Sequence, residues 1–107
     1  MIEFSDFLKV DIRVGTIVEA SINKEAKKPA YVLKIDFGPL GIKTTSAQIT
    51  QLYTLDDLIN KKILAVVNFP VKQIGHTFSE VLVLGAYTKE GVSLASIDNA
   101  ENGDKIG

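Results

Sequence analysis

The chain has 107 residues, 46% of them hydrophobic and 23% charged, which describes a single compact domain with enough apolar material for its own core. Its zero cysteines exclude disulfide staples, thiol nucleophiles and zinc ribbons. The formal net charge is −1, and the last ten residues set Asp98, Glu101 and Asp104 against Lys105 alone, so bulk charge gives no argument for a nucleic-acid partner.

Ser5 and Asp6 stand before Phe7 and Leu8, which predicts a helix of one or two turns that packs Phe4, Phe7 and Leu8 inward. From Ile12 to Val18 the residues Ile12, Val14, Thr16 and Val18 share one face and Arg13, Gly15 and Ile17 the other, the period of a strand. Gly15 is expected to mark a bulge or sharp bend there. Ser21 to Pro29 collects Asn23, Lys24, Glu25, Lys27 and Lys28 and reads as a loop with three lysines. Tyr31, Leu33, Ile35 and Phe37 then alternate with Val32, Lys34 and Asp36 in a second strand, which Gly38 to Gly41 turns into a third beginning at Ile42. Residues 46–52 have no clear period and read as a helical turn or irregular crossing. Thr54 with Asp57 three positions on predicts a capped helical turn that stops at Asn60.

The runs Ile63 to Phe69 and Val81 to Ala86 are largely apolar on both faces, too short for helices and rich enough in β-branched residues for strands. Pro70 to Ser79 is expected to carry a loop or bent edge between them, and Tyr87 to Gly91 a last hairpin into Val92, Leu94 and Ser96. The tail from Asp98 is polar. Five or six short strands with two or three very short helices at turns every ten residues or so make an all-β chain with short helices. A five-stranded Greek-key barrel of the oligonucleotide/oligosaccharide-binding (OB) class fits the length and the helical insertion between the third and fourth strands, with an SH3-like barrel as the alternative. No run approaches the roughly 18 apolar residues of a membrane span. Glu3, Asp6 and Asp11 stand where a signal peptide would be basic and then apolar, so a cytoplasmic chain without membrane insertion is expected, its mature form being the whole sequence.

Catalysis has little to draw on. His76 is the sole histidine; Ser79 follows three positions later and no carboxylate is evident to orient the ring, so it reads as a loop side chain and not a general base. Gly38 and Gly41 lack the lysine and serine of a phosphate-binding loop, and Asp56 and Asp57 suit helix capping better than metal ligation. No enzyme, no cofactor and no metal are expected. The polar and basic residues Lys43, Ser46, Gln48, Asn68, Lys72, Gln73, His76 and Ser79 cluster in sequence around the third to fifth strands. On a barrel of this class the open face and its loops bind single-stranded or looped nucleic acid, lysines meeting phosphates and amides meeting base edges. Phe37, Phe69 and Tyr31 are expected inside, leaving Tyr53, Phe78 and Tyr87 free for stacking.

Three segments, DIRVGTI at 11–17, SAQIT at 46–50 and NFP at 68–70 followed by SEVLVLGA at 79–86, together resemble the tRNA-binding domain family. That family includes the C-terminal extension of bacterial methionyl-tRNA synthetases, the endothelial-monocyte-activating polypeptide module and stand-alone CsaA-type proteins. SAQIT, VVNFP at 66–70 and SEVLVLG at 79–85 together are most similar to the CsaA type. The resemblance runs from Phe7 to KIG at 105–107 and implies one OB-fold domain over residues 1–107, a homodimer, and tRNA or another structured RNA as partner. For the CsaA type it also implies an export-related chaperone that meets unfolded preproteins and the translocation motor SecA.

The same resemblance puts Asn68, Lys72, Gln73 and Ser79 near the tRNA-facing edge, with Lys43, Ser46 and Gln48 beside them. Family members often carry two basic residues after the proline; Val71, Lys72 and Gln73 supply one, and His76 stands where a glycine is common, so a modest affinity is implied. Apart from any resemblance, the two-sided apolar runs need a cover, supplied by the first helix or by a second subunit. Phe4, Phe7, Leu8, Leu64, Val66, Leu82 and Leu84 are therefore expected to form a dimer or peptide surface.

Overall fold

The computed structural model describes residues 1–107. A helix α1 (Phe4–Leu8) leads into β1 (Ile12–Ile22), β2 (Tyr31–Asp36), a 3-10 turn (Gly38–Leu40), β3 (Ile42–Ala47), α2 (Leu55–Leu58) and β4 (Lys62–Val66). Two hairpins, β5 (Lys72–Ile74) with β6 (Thr77–Ser79) and β8 (Gly85–Thr88) with β9 (Gly91–Leu94), flank the short β7 (Leu82–Val83). The main sheet holds five antiparallel strands in the order β3-β2-β1-β4-β7. It curls until its β3 edge meets residues 79–81: the Glu80 N–H donates to the Thr44 carbonyl (2.8 Å), the Ser46 N–H to Ser79 Oγ (2.8 Å) and the Thr45 hydroxyl to the Val81 carbonyl (2.7 Å). Closing the seam this way gives the Greek-key order of an OB barrel, with α2 inserted between β3 and β4, and sets the SH3-like alternative aside.

The alternation in β2 works as a strand should: Leu33, Ile35 and the following Phe37 are wholly buried while Lys34 is exposed. With Ile17, Ile63, Ala65 and Leu58 they fill the barrel, each large apolar side chain contributing about 1.5–3 kcal/mol on burial. Leu58 arrives on α2, whose turn is fixed by a reciprocal cap: the Asp57 N–H donates to Thr54 Oγ1 (3.3 Å) and the Thr54 N–H to the Asp57 carboxylate (2.9 Å). Asn60 ends it in the left-handed region at φ 67°.

Gly15 has a different role from the one its sequence position suggests. It pairs in register with Ile63, and a Cβ placed there would lie 2.6 Å from Ile35 Cγ2 and 2.7 Å from the Phe37 ring. The missing side chain therefore makes room for the core. The bulge falls later, between Ile17 and Glu19, and the inward face changes along the strand so that Val14 and Ile17 are both fully buried.

Other expectations are corrected by the fold. Helix α1 starts after Glu3, not Ser5, and buries none of its residues; Phe4 is 73% exposed and stacks on Phe7 at 6.4 Å instead of entering the core. A helix of five residues has too little length to present a buried face. The run from Val81 to Ala86 is not one strand: β7 pairs with β4 at two positions, and the chain then bends into the separate β8–β9 hairpin. Pro70 to Ser79 forms the ordered β5–β6 hairpin. Phe69 is 53% exposed, because β4 ends at Val66 and the strand alternation no longer sets the direction of its ring. The tail lies beside the first half of β1, which β2 leaves open, through bonds from the Val14 N–H to the Asp104 carbonyl (3.0 Å) and from the Gly103 N–H to the Val14 carbonyl (2.8 Å).

Candidate nucleic-acid interface

The β1–β2 loop and the β5–β6 hairpin stand on either side of the end of β3 and enclose a groove of about 440 Å³. Its floor is Ser46 and Gln48, one wall is Lys27 and Lys28, and the other is Gln73 and Gly75. The loop is fixed at its start, where buried Asn23 donates from its amide to Ser46 Oγ (3.0 Å) and accepts from the Glu25 N–H (3.2 Å). Glu25 then reaches across to His76, its carboxylate 2.6 Å from Nδ1. Gly75 sits at φ +63° under Glu25, where a Cβ would come within 2.6 Å of the Glu25 Cβ, so a side chain at that position would push the loop off the hairpin.

A carboxylate does therefore stand beside His76, contrary to the expectation from sequence. The ring is nonetheless an exposed tether between two loops, and the Ser79 hydroxyl is already engaged by the Ser46 N–H and by Thr45 Oγ1 at 3.2 Å. The arrangement offers no nucleophile aligned with a base.

The four ion pairs of the chain are Lys9–Asp6, Arg13–Asp11, Lys34–Glu19 and His76–Glu25, so every lysine other than Lys9 and Lys34 lacks a carboxylate partner, Lys27, Lys28, Lys43 and Lys72 among them. Of the seven polar residues expected from sequence, Ser46, Gln48 and Gln73 meet in the groove, and Lys72 precedes Gln73 on the hairpin. Lys43 lies three residues along β3 from Ser46, about 10 Å at the usual rise of a strand. Ser79 belongs to the barrel seam. Asn68 is committed elsewhere: its Oδ1 accepts from the Asp11 N–H (3.0 Å) and its amide donates to the Lys9 carbonyl (2.8 Å), which anchors the link between α1 and β1. Beside it the Arg13 guanidinium bonds the Asp11 carboxylate (2.7 Å) and holds that acid below the usual carboxylate range.

Lys27 and Lys28 are the cationic groove residues absent from the sequence-based set. The signal for them was the lysine density of the loop between Ser21 and Pro29. Tyr53 is not free for stacking, since its hydroxyl accepts from the Leu94 N–H (2.9 Å) and its carbonyl from the Tyr31 hydroxyl (2.8 Å). Phe78 and Tyr87 are exposed, Tyr87 almost fully at 95%. Of the apolar set, Phe4, Leu8 and Leu82 are exposed and Phe7, Leu64 and Leu84 half-buried, whereas Val66, at 4%, lies in the core and adds nothing to an outer surface.

A sequence-family profile described as "Putative tRNA binding domain" matches residues 12–105. The Methionine--tRNA ligase of Bdellovibrio bacteriovorus is 38% identical over 106 residues, which are 99% of this chain and 15% of the ligase, so the chain spans only a small part of that curated relative. Among solved structures, the CsaA chaperone protein from Picrophilus torridus superimposes with a TM-score of 0.97 at 62% identity, covering 100% of both chains. The chaperone CsaA from Bacillus anthracis follows the same path with a TM-score of 0.93 at 49% identity, covering 100% of this chain and 99% of that one.

Proposed function

The chain belongs to the tRNA-binding domain family, and from that membership we propose that it binds tRNA or another structured RNA as a cytoplasmic homodimer, without catalysing a reaction. The observation that carries this reading is the pair Lys27 and Lys28, neither with a carboxylate partner, on the wall of a groove whose opposite side holds Gln73 and whose floor holds Ser46 and Gln48. Free cations neutralise phosphates and release counterions, the main source of affinity in such complexes. Lys27, Lys28, Lys43 and Lys72 take that role, and Gln48 and Gln73 offer donor and acceptor groups beside them. Ser46, Ser79 and Asn68 act one step back, holding the groove floor, the seam and the approach of α1. The exposed Phe4, Leu8 and Leu82 supply apolar surface for a two-fold contact, flanked by Phe7, Leu64 and Leu84.

A second reading, an export-related chaperone, draws on the two full-length structural neighbours named as CsaA chaperones. Exposed Phe69, Val71 and Phe78 suit unfolded preprotein segments, with SecA as a further partner. Purification without nuclease tests the first reading: nuclease-sensitive RNA should accompany a sedimenting dimer, and a clean monomer that fails to retard tRNA at low salt would remove it. The second predicts suppressed aggregation of an unfolded client, and it fails if the protein ignores such clients at micromolar concentration.

A further inference from the structure

The two walls of the groove are joined at the base and again at the rim. At the base the Asn23 N–H donates to the Ala30 carbonyl (2.9 Å) and closes the β1–β2 loop, the buried Asn23 amide reaches Ser46 Oγ, and the Ser46 N–H reaches Ser79 at the foot of the hairpin. At the rim the link is the Glu25 carboxylate against His76 Nδ1, with Gly75 directly beneath it. The turn that presents His76 is braced in its own right, since the Gln73 amide donates to the Gly75 carbonyl (2.9 Å). Between base and rim, Ala26 to Pro29 lie outside any helix or strand and make no backbone–backbone hydrogen bond, so the place of Lys27 and Lys28 depends on these two attachments.

We propose that Glu25 and His76 are positioning residues for the RNA contact: their clasp holds the loop against the hairpin and thereby fixes Lys27 and Lys28 on their wall. The inference rests on the RNA-binding reading and says which residues set its cations in place. Charge gives the first argument. Glu25 itself lines the groove, and a carboxylate beside a phosphate site repels the ligand. Its presence there calls for a compensating role, and the His76 ring supplies one by donating from Nδ1 to the carboxylate, a proton that the imidazolium and one neutral tautomer both carry. Exposure gives the second. The two side chains are 88% and 47% exposed, and a pair so open to water adds little to the stability of the fold, so what it fixes is local. A loop already held in place loses less freedom when the ligand arrives, and its lysines meet phosphates at a smaller ordering cost.

The test combines tRNA titration with limited tryptic cleavage after Lys27, a measure of loop attachment that needs no RNA, on the full chain and on Glu25→Ala, Glu25→Gln, His76→Ala and the double alanine variant. Glu25→Ala and His76→Ala should each weaken tRNA binding severalfold and speed the cleavage, with melting temperatures like the parent's. The double variant should bind no worse than the weaker single one, because both substitutions open the same clasp. Glu25→Gln keeps an oxygen that accepts from Nδ1 and should stay within about twofold of the parent. A glutamate that acts through its charge alone predicts the opposite sign, with tighter binding in both Glu25 variants. Binding by Glu25→Ala as tight as the parent's or tighter, cleavage that does not change, or a double variant whose loss is the product of the single losses overturns the positioning role and leaves the tRNA reading standing. A parent that binds no tRNA overturns both.

Discussion

Adding one methyl group at Gly15 tests the packing of the core at its tightest point. An alanine Cβ would sit 2.6 Å from Ile35 Cγ2 and 2.7 and 2.8 Å from two carbons of the Phe37 ring. Carbon atoms prefer separations of about 3.5–4.0 Å, so the overlap is close to 1 Å on two side chains that are themselves fully buried and have nowhere to retreat. Overpacking of this kind costs about 1–3 kcal/mol, and in a domain of this size each kcal/mol lowers the melting temperature by about 4–8 °C. Thermal melting followed by circular dichroism should therefore place Gly15→Ala roughly 4–24 °C below the parent. Phe37→Leu in the same chain should return part of the loss, giving a coupling of about 0.5–3 kcal/mol between the two positions. A Gly15→Ala protein that melts with the parent, or strict additivity in the double variant, would refute the claim that this glycine exists to admit the ring.

Three further outcomes follow from the same geometry. Lys43→Ala with Lys72→Ala should weaken tRNA binding and flatten its salt dependence by about 0.7–0.9 for each phosphate that is no longer neutralised, with stability within about 0.5 kcal/mol of the parent; gel retardation at several salt concentrations and a thermal melt check both halves. Asn68→Ala removes two hydrogen bonds to the α1–β1 link and should cost about 1–3 kcal/mol, while tRNA affinity measured well below the melt changes less than twofold. The Asp11 carboxyl is held low by its bond to Arg13, so the stability it contributes is present above the ordinary carboxylate pKa and is lost as pH falls through its lowered value. Asp11→Asn should accordingly melt below the parent at pH 7, with the gap closing as pH falls beneath about 4.

The parts of the fold legible in the sequence are those where one local rule dominates. Leu33, Ile35 and Phe37 alternate without interruption, and Thr54 with Asp57 caps a turn through backbone groups three residues away, so both survive into the structure as read. What escaped depends on partners distant in sequence. Gly15 reads as a bulge until Phe37 is seen to need its space, and Asn68 reads as a base-reading amide until Lys9 and Asp11 are seen to occupy both its ends. Val81 to Ala86 reads as one strand because nothing local shows that β4 offers β7 only two pairing positions. The candidate groove divides the same way. Ser46, Gln48 and Gln73 stand out by type, while Lys27 and Lys28 read only as part of a lysine-bearing loop, because the hairpin that faces them lies more than forty residues away, where Glu25 reaches His76.

In the function proposed for this chain, RNA binding turns on lysines meeting phosphates, and the salt dependence of tRNA affinity measures that meeting directly. With Lys27, Lys28, Lys43 and Lys72 each engaging one phosphate, the logarithm of the association constant should fall linearly with the logarithm of salt concentration, with a slope of about −3 per bound subunit. A slope near zero, or no retardation of tRNA at the lowest salt, would contradict it.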